Sequence, residues 1–207
     1  MSISAADFTD YVDFFNALMG YSKEPIVCDT IPELESFDAV RYMGNWFEIQ
    51  HVKDEGFQPN SWKCNQASYT DLDAEGNFKV YNSSQAFIGP RFGVHGQAKC
   101  PAETGPGQCF VKFFFQKFDT PNYQIIATDY DNYSVIYACH ETSKAFLWIM
   151  SRTPTLSDEL LKQAQVKAAL TLQHFDFDNM LTDVQGEENG CKYVANESEA
   201  IAERFLF

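Results

Sequence analysis

From about residue 44 to residue 151, apolar and polar side chains alternate with a period of two, the pattern of strands that bury one face. The alternation breaks into candidate strands at 45–53, 64–71, 77–87, 92–99, 109–118, 122–129, 133–140 and 145–151. Turn-forming runs separate them, as in Asp73-Ala74-Glu75-Gly76-Asn77 and Asp129-Tyr130-Asp131-Asn132. Eight short strands joined by tight turns predict an all-β, up-and-down antiparallel barrel. A barrel of that size holds one small ligand. Before it, Phe8, Tyr11, Val12, Phe15, Leu18 and Met19 recur at steps of three and four, which predicts an amphipathic helix over 7–20. After it, Pro154 stops the last strand. Ser157 then offers an N-cap, with Asp158 and Glu159 placed to favour the positive end of a helix dipole. Leu160, Leu161, Ala164, Ala168 and Leu172 continue that helix to about 172. The domain reading is an N-terminal extension at 1–27, a barrel domain at 28–194 and a tail at 195–207.

The 207 residues carry a formal charge of −14. A phosphate backbone would repel that surface, which argues against nucleic acid as a partner. The same charge argues against an anionic membrane, and no apolar stretch reaches the length of a membrane span. Cysteines fall at 28, 64, 100, 109, 139 and 191. None lies in a Cys-x-x-Cys pair or at zinc-finger spacing, so no metal is expected. An even, dispersed set predicts disulfides and an oxidising compartment, with fifteen pairings open. Residues 1–13 hold three Asp and no Lys or Arg, the reverse of the charged start of a secretory signal. With the cysteines, the expectation is an extracellular protein whose signal has been removed.

Three segments carry the chemistry of recognition. They are Gly44-Asn45-Trp46-Phe47-Glu48-Ile49, then Ala127-Thr128-Asp129-Tyr130-Asp131-Asn132-Tyr133, then Trp148-Ile149-Met150-Ser151-Arg152-Thr153-Pro154. In that order and at those separations they resemble the three signature regions of the lipocalins, and most of all the branch of apolipoprotein D and the insect bilin-binding proteins. The resemblance runs from about Cys28 to Cys191. It implies the bridges Cys28–Cys139 and Cys64–Cys191. Cys100 and Cys109 flank a turn-rich segment and are expected to close across it by spacing alone. The resemblance further implies that Gly44 and Trp46 lie at a closed floor, that Arg152 crosses the Trp46 ring, and that Thr128, Asp129 and Tyr130 form a turn beside it. A guanidinium over an indole is a cation–π contact.

The opposite half of the barrel is then the candidate binding cavity. If Arg152 faces inward, Met150, Trp148 and Phe146 share its face. By resemblance, Trp148, Tyr69 and Phe113 match pocket positions, and Asn82 matches a polar position of the bilin binders. Asn82 places Val80 and Ser84 on the inward face with it, and the Phe113 parity adds Phe115. Each of these aromatics could equally be plain barrel core. His51, His95, His140 and His174 show no ligand spacing, and neither a Gly-x-Ser-x-Gly nor a phosphate loop is present. No catalytic residue is expected, although an enzyme on the same barrel, using a free cysteine, stands as the rival class. Of the sequons at Asn82, Asn132 and Asn196, only Asn196 reads as freely accessible. The expected function is extracellular carriage of one small hydrophobic ligand with no required cofactor. A conjugated pigment, bilin or carotenoid, is favoured over a fatty acid, sterol or retinoid. Self-association through the N-terminal helix or the barrel surface stays open.

Overall fold

The computed structural model describes residues 27–53, 58–86, 91–113, 119–140 and 144–194. The helix expected at 7–20 and the tail at 195–207, with Asn196, lie outside the described residues. Eight strands form the wall: β1 (Gly44–Val52), β2 (Lys63–Thr70), β3 (Asn77–Gln85), β4 (Arg91–Lys99), β5 (Gln108–Phe113), β6 (Tyr123–Thr128), β7 (Tyr133–His140) and β8 (Lys144–Ser151). Each pairs antiparallel with the next, and β1 bonds to both β2 and β8, so the sheet closes on itself. A ninth strand, β9 (Met180–Thr182), pairs with the upper part of β1, at Gln50, His51 and Val52. It fills the edge that β2 leaves free, since β2 pairs only with Gly44 to Phe47. Nothing in the 175–194 segment predicted it: three residues are too few to show alternation.

Two apolar layers hold the wall. Inward-facing Trp46, Ala67, Tyr69, Phe78, Val80, Ala98, Ile125, Ile136 and Met150 pack together inside the barrel. Outward-facing Val135, Tyr137, Leu147 and Ile149 pack against the helix α2 (Asp158–Thr171) through Ala164, Ala168 and Leu172. β7 and β8 therefore bury both faces, as their nearly unbroken apolar runs require. Ser157 caps α2 by accepting from the Leu160 amide, with Asp158 and Glu159 in the first turn. At the other end of α2, the Asp29 carboxylate accepts from the Gln173 and His174 amides and lies 2.9 Å from His174 Nδ1. The disulfides are Cys28–Cys139, Cys64–Cys191 and Cys100–Cys109. The first two cross-link residues 111 and 127 apart and the third spans 9.

The lower end is shut by a short helix, α1 (Ala39–Tyr42), and by Arg152. The Arg152 guanidinium lies 3.6 Å from the centre of the Trp46 ring. Its Nε donates to the Tyr130 carbonyl at 2.8 Å, Nη1 to Asn45 at 2.9 Å and Nη2 to Arg41 at 2.6 Å. Three separate segments are thus tied by one side chain. Gly44 has a φ of +96°, a backbone conformation that favours glycine. Trp46 is fully buried and donates from Nε1 to the Tyr42 carbonyl. The Thr128–Tyr130 turn is fixed by its own side chains. Asp129 accepts from the Asn132 and Tyr133 amides, and Thr128 donates to the Tyr133 carbonyl.

Trp46→Ala should cost roughly 3–5 kcal/mol through the cavity it leaves. Arg152→Ala strands three carbonyls and should cost about 1–3 kcal/mol. Equilibrium urea unfolding measures both. Replacing Cys64 and Cys191 together by Ser should destabilise by about 2–5 kcal/mol and the Cys100–Cys109 pair by less, because the longer loop loses more entropy when closed. The same titration decides the order.

Candidate functional site

Going up from the floor, the interior changes character in three steps. The lowest layer is a buried tyrosine network. Tyr42 OH lies 2.9 Å from Ser134 Oγ and 3.0 Å from Tyr123 OH, and Tyr69 OH lies 3.0 Å from Tyr123 OH. The Tyr42 and Tyr69 rings stack at 5.8 Å. Burial pushes the Tyr42 hydroxyl up to about 12 and raises Tyr69 and Tyr123 as well. These phenols stay neutral and act as hydrogen-bonding groups. Tyr69, expected from the sequence as a pocket residue, is 5% exposed, and its hydroxyl already has a partner in Tyr123.

Above this layer the inward-facing residues become partly exposed, so the interior reaches solvent at this end. Trp148 and Phe146 are half-buried and stack nearly parallel, 7° apart with centroids at 5.7 Å. Met150, one step lower on the same strand face, is buried against the core. Asn82 and Ser84 on β3 are half-buried, while Val80 is 2% exposed. Phe113 and Val111 pack against the inner cluster from β5. Phe115 lies outside the described residues. At the rim, Trp62 stacks on Phe92 at 5.7 Å. The structure therefore brings Trp148, Met150, Val80, Phe113 and Tyr69 to one interior, with Phe146 stacked on Trp148 and Tyr69 directly opposite Val80 in the β2–β3 register. Asn132, read as confined to a tight turn, is exposed there, with its amide donating to Asp129.

The third feature was not anticipated. Glu48 and His51 on β1 and Asp183 just after β9 form a buried polar cluster, the one His/carboxylate group close enough for shared ligation among the described residues. His51 Nδ1 is 2.8 Å from Asp183 Oδ2 and 3.1 Å from Glu48 Oε1. Asn65 donates to both carboxylates, and Gln58 donates to Glu48. A β-bulge explains why the alternation hid it. The β1–β8 register shifts between Glu48 and Gln50, so Glu48 lies opposite Met150 and His51 lies opposite Trp148. Residues directly opposite share a face. An extra residue in one strand thus turns both Glu48 and His51 inward, where strict alternation would have separated them. Burial by itself would lower the His51 pKa, but hydrogen bonds that the ring donates to Asp183 and Glu48 outweigh it and raise it. Burial raises Asp183, and the Glu48 charge raises it further, to about 7.

Both groups hold protons more tightly folded than unfolded. Their stabilisation is complete below the unfolded pKa and is lost as pH rises through the folded one. Urea unfolding should therefore show stability falling by about 1–3 kcal/mol between mildly acidic and mildly alkaline pH. Asp183→Asn should flatten that slope around neutrality.

The geometry matches a known architecture. Residues 37–184 match the family model described as Lipocalin-like domain. Apolipoprotein D of Oryctolagus cuniculus is 34% identical over 157 residues, covering 74% of this chain and 79% of that protein. Temperature-induced lipocalin-1 of Arabidopsis thaliana is 30% identical over 141 residues, covering 65% and 73%. Insecticyanin from the tobacco hornworm Manduca sexta superposes with a TM-score of 0.67 at 24% identity, covering 82% of this chain and 91% of that one. Lobster apocrustacyanin A1 gives 0.61 at 21% identity, covering 79% and 91%. At such identities the solved structures speak for the fold. The matched span runs from the turn beneath the floor to the end of the wall at Val184, and the chain belongs to the lipocalin family.

Proposed function

We propose that this chain carries one small hydrophobic molecule in the upper half of the barrel, with a flat conjugated pigment as the favoured class. The observation that supports it is the gradient inside the barrel. The floor residues are shut away, whereas Trp148, Phe146 and Phe113 face the same interior and stay partly exposed. The parallel Trp148–Phe146 pair offers a planar wall to a planar ligand. Affinity would come mainly from burial of apolar area, at roughly 25 cal/mol per Å² before ordering costs. The Asn82 side-chain oxygen is buried without a partner and offers an acceptor to orient the ligand. All six cysteines are bridged, so the rival reading of a thiol enzyme has no nucleophile to use. Three disulfides suit an exported carrier. No helix among the described residues is long and apolar enough to cross a membrane.

A bound apolar ligand should quench or shift the Trp148 indole and affect Trp46, sealed at the floor, much less. Trp148→Ala should weaken binding of retinoid and carotenoid probes by about 1–3 kcal/mol with the barrel intact. Unchanged binding of every probe would place the ligand elsewhere. Tyr69→Phe removes the bond to Tyr123 and should lower stability by about 0.5–1.5 kcal/mol, with little effect on ligand choice; calorimetry of unfolding checks it.

A further inference from the structure

His51 is 1% exposed, and while its Nδ1 is taken by the two carboxylates, its Nε2 has no hydrogen-bond partner. Because Nδ1 faces Glu48 and Asp183, the far nitrogen of the ring is turned away from them. The side chain leaves β1 on the interior face, directly opposite Trp148. Nδ1 is hydrogen-bonded to both carboxyl groups, and those contacts favour the protonated ring, in which Nε2 carries a hydrogen. An enclosed N–H donor without an acceptor is unfavourable, because it has lost its water and gained no partner. An acceptor delivered beside Trp148 removes that penalty.

We propose that His51 Nε2 is the polar anchor of the cavity and that the ligand presents to it an uncharged acceptor, such as a ketone, lactam or ester carbonyl, on an apolar skeleton. The inference rests on the carrier reading above and narrows its ligand class. The charge balance selects against the carboxylate of a fatty acid. Glu48 and Asp183 already sit against the His51 ring as acceptors for its charge, so the cluster presents no unopposed cation. A ligand carboxylate entering there would lose its hydration and meet no net attraction. A neutral carbonyl loses much less on entry and still gains a charge-assisted hydrogen bond. The cluster is also held in place to do this. Asn65 and Gln58 fix its carboxylates, and Gln185 donates to the Glu48 and Asn65 carbonyls at 2.8 Å each.

Three fluorescent probes with one skeleton test it: prodan, which is a dimethylaminonaphthalene ketone, its parent dimethylaminonaphthalene, and the corresponding naphthoic acid. Binding is read by indole quenching at neutral pH. The ketone should bind about tenfold more tightly than the parent amine, the worth of one hydrogen bond to a charged donor, and the acid more weakly than either. Prodan emission in the complex should sit to the red of its value in apolar solvent, as its carbonyl accepts a hydrogen bond. His51→Leu should erase the preference for the ketone while still binding the parent amine, and His51→Gln, which keeps an N–H donor, should restore part of it. Equal affinities for the ketone and the parent amine in the unaltered protein overturn the proposal without any variant having to fold. So does a ketone preference that survives in His51→Leu. If none of the three probes quenches, the carrier function itself falls, an outcome separate from equal binding.

Discussion

A guanidinium is costly to take out of water unless its charge and its donors are met, and Arg152 meets them by drawing three strangers together. The carbonyls of Arg41, Asn45 and Tyr130 come from the helix under the barrel, the first strand and the turn before β7, and the same charge rests on the Trp46 face. None of these segments is adjacent in sequence to β8. The contact therefore does more than add a few kcal/mol. It fixes where the strand ends meet, which sets the inward parity of β8 and hence the placement of Met150, Trp148 and Phe146 above it.

The upper interior is organised by a different device. The bulge at Ile49 and the strand β9 act together: one turns His51 inward and the other brings Asp183 against it. The Cys64–Cys191 bridge and the Cys64 amide bond to the Val184 carbonyl pin that returning segment to the start of β2. A loss of that bridge would thus loosen a wall of the cavity as well as a terminus. The two ends of the barrel contrast in chemistry. The floor uses a cation with neutral carbonyls and an indole, and the wall uses an imidazole between two carboxyl groups.

Much of this was legible in the chain. The eight wall strands start and stop within a residue or two of the alternation that predicts them, apart from β3 and β5, where the alternation extends into residues the structure does not describe. The reason is that each has one face in the core and strict alternation follows from the pleat. The Arg152–Trp46 contact was readable only because the three signature segments resemble a known family; no spacing rule links residues so far apart. The His51 cluster was not readable at all. Its members are separated by as many as 135 residues, and the bulge breaks the parity that would have placed them. Tyr123 was missed for a related reason. Its role depends on hydroxyl partners at Tyr42 and Tyr69, one of them on a helix of four residues that carries no periodic signal.

The shut floor has a kinetic meaning. A vessel with one opening must exchange its contents through that opening, so the first part of a molecule to enter is the last to leave. An elongated guest in a narrow barrel cannot turn end over end. Its orientation is decided at the mouth, before any group deep inside can select for it. At the end opposite the floor Trp62 stacks on Phe92, and a guest's residence time would depend on how readily it backs out past that end. Two guests with equal affinity could differ widely in exchange rate if one carries its bulk at the trailing end.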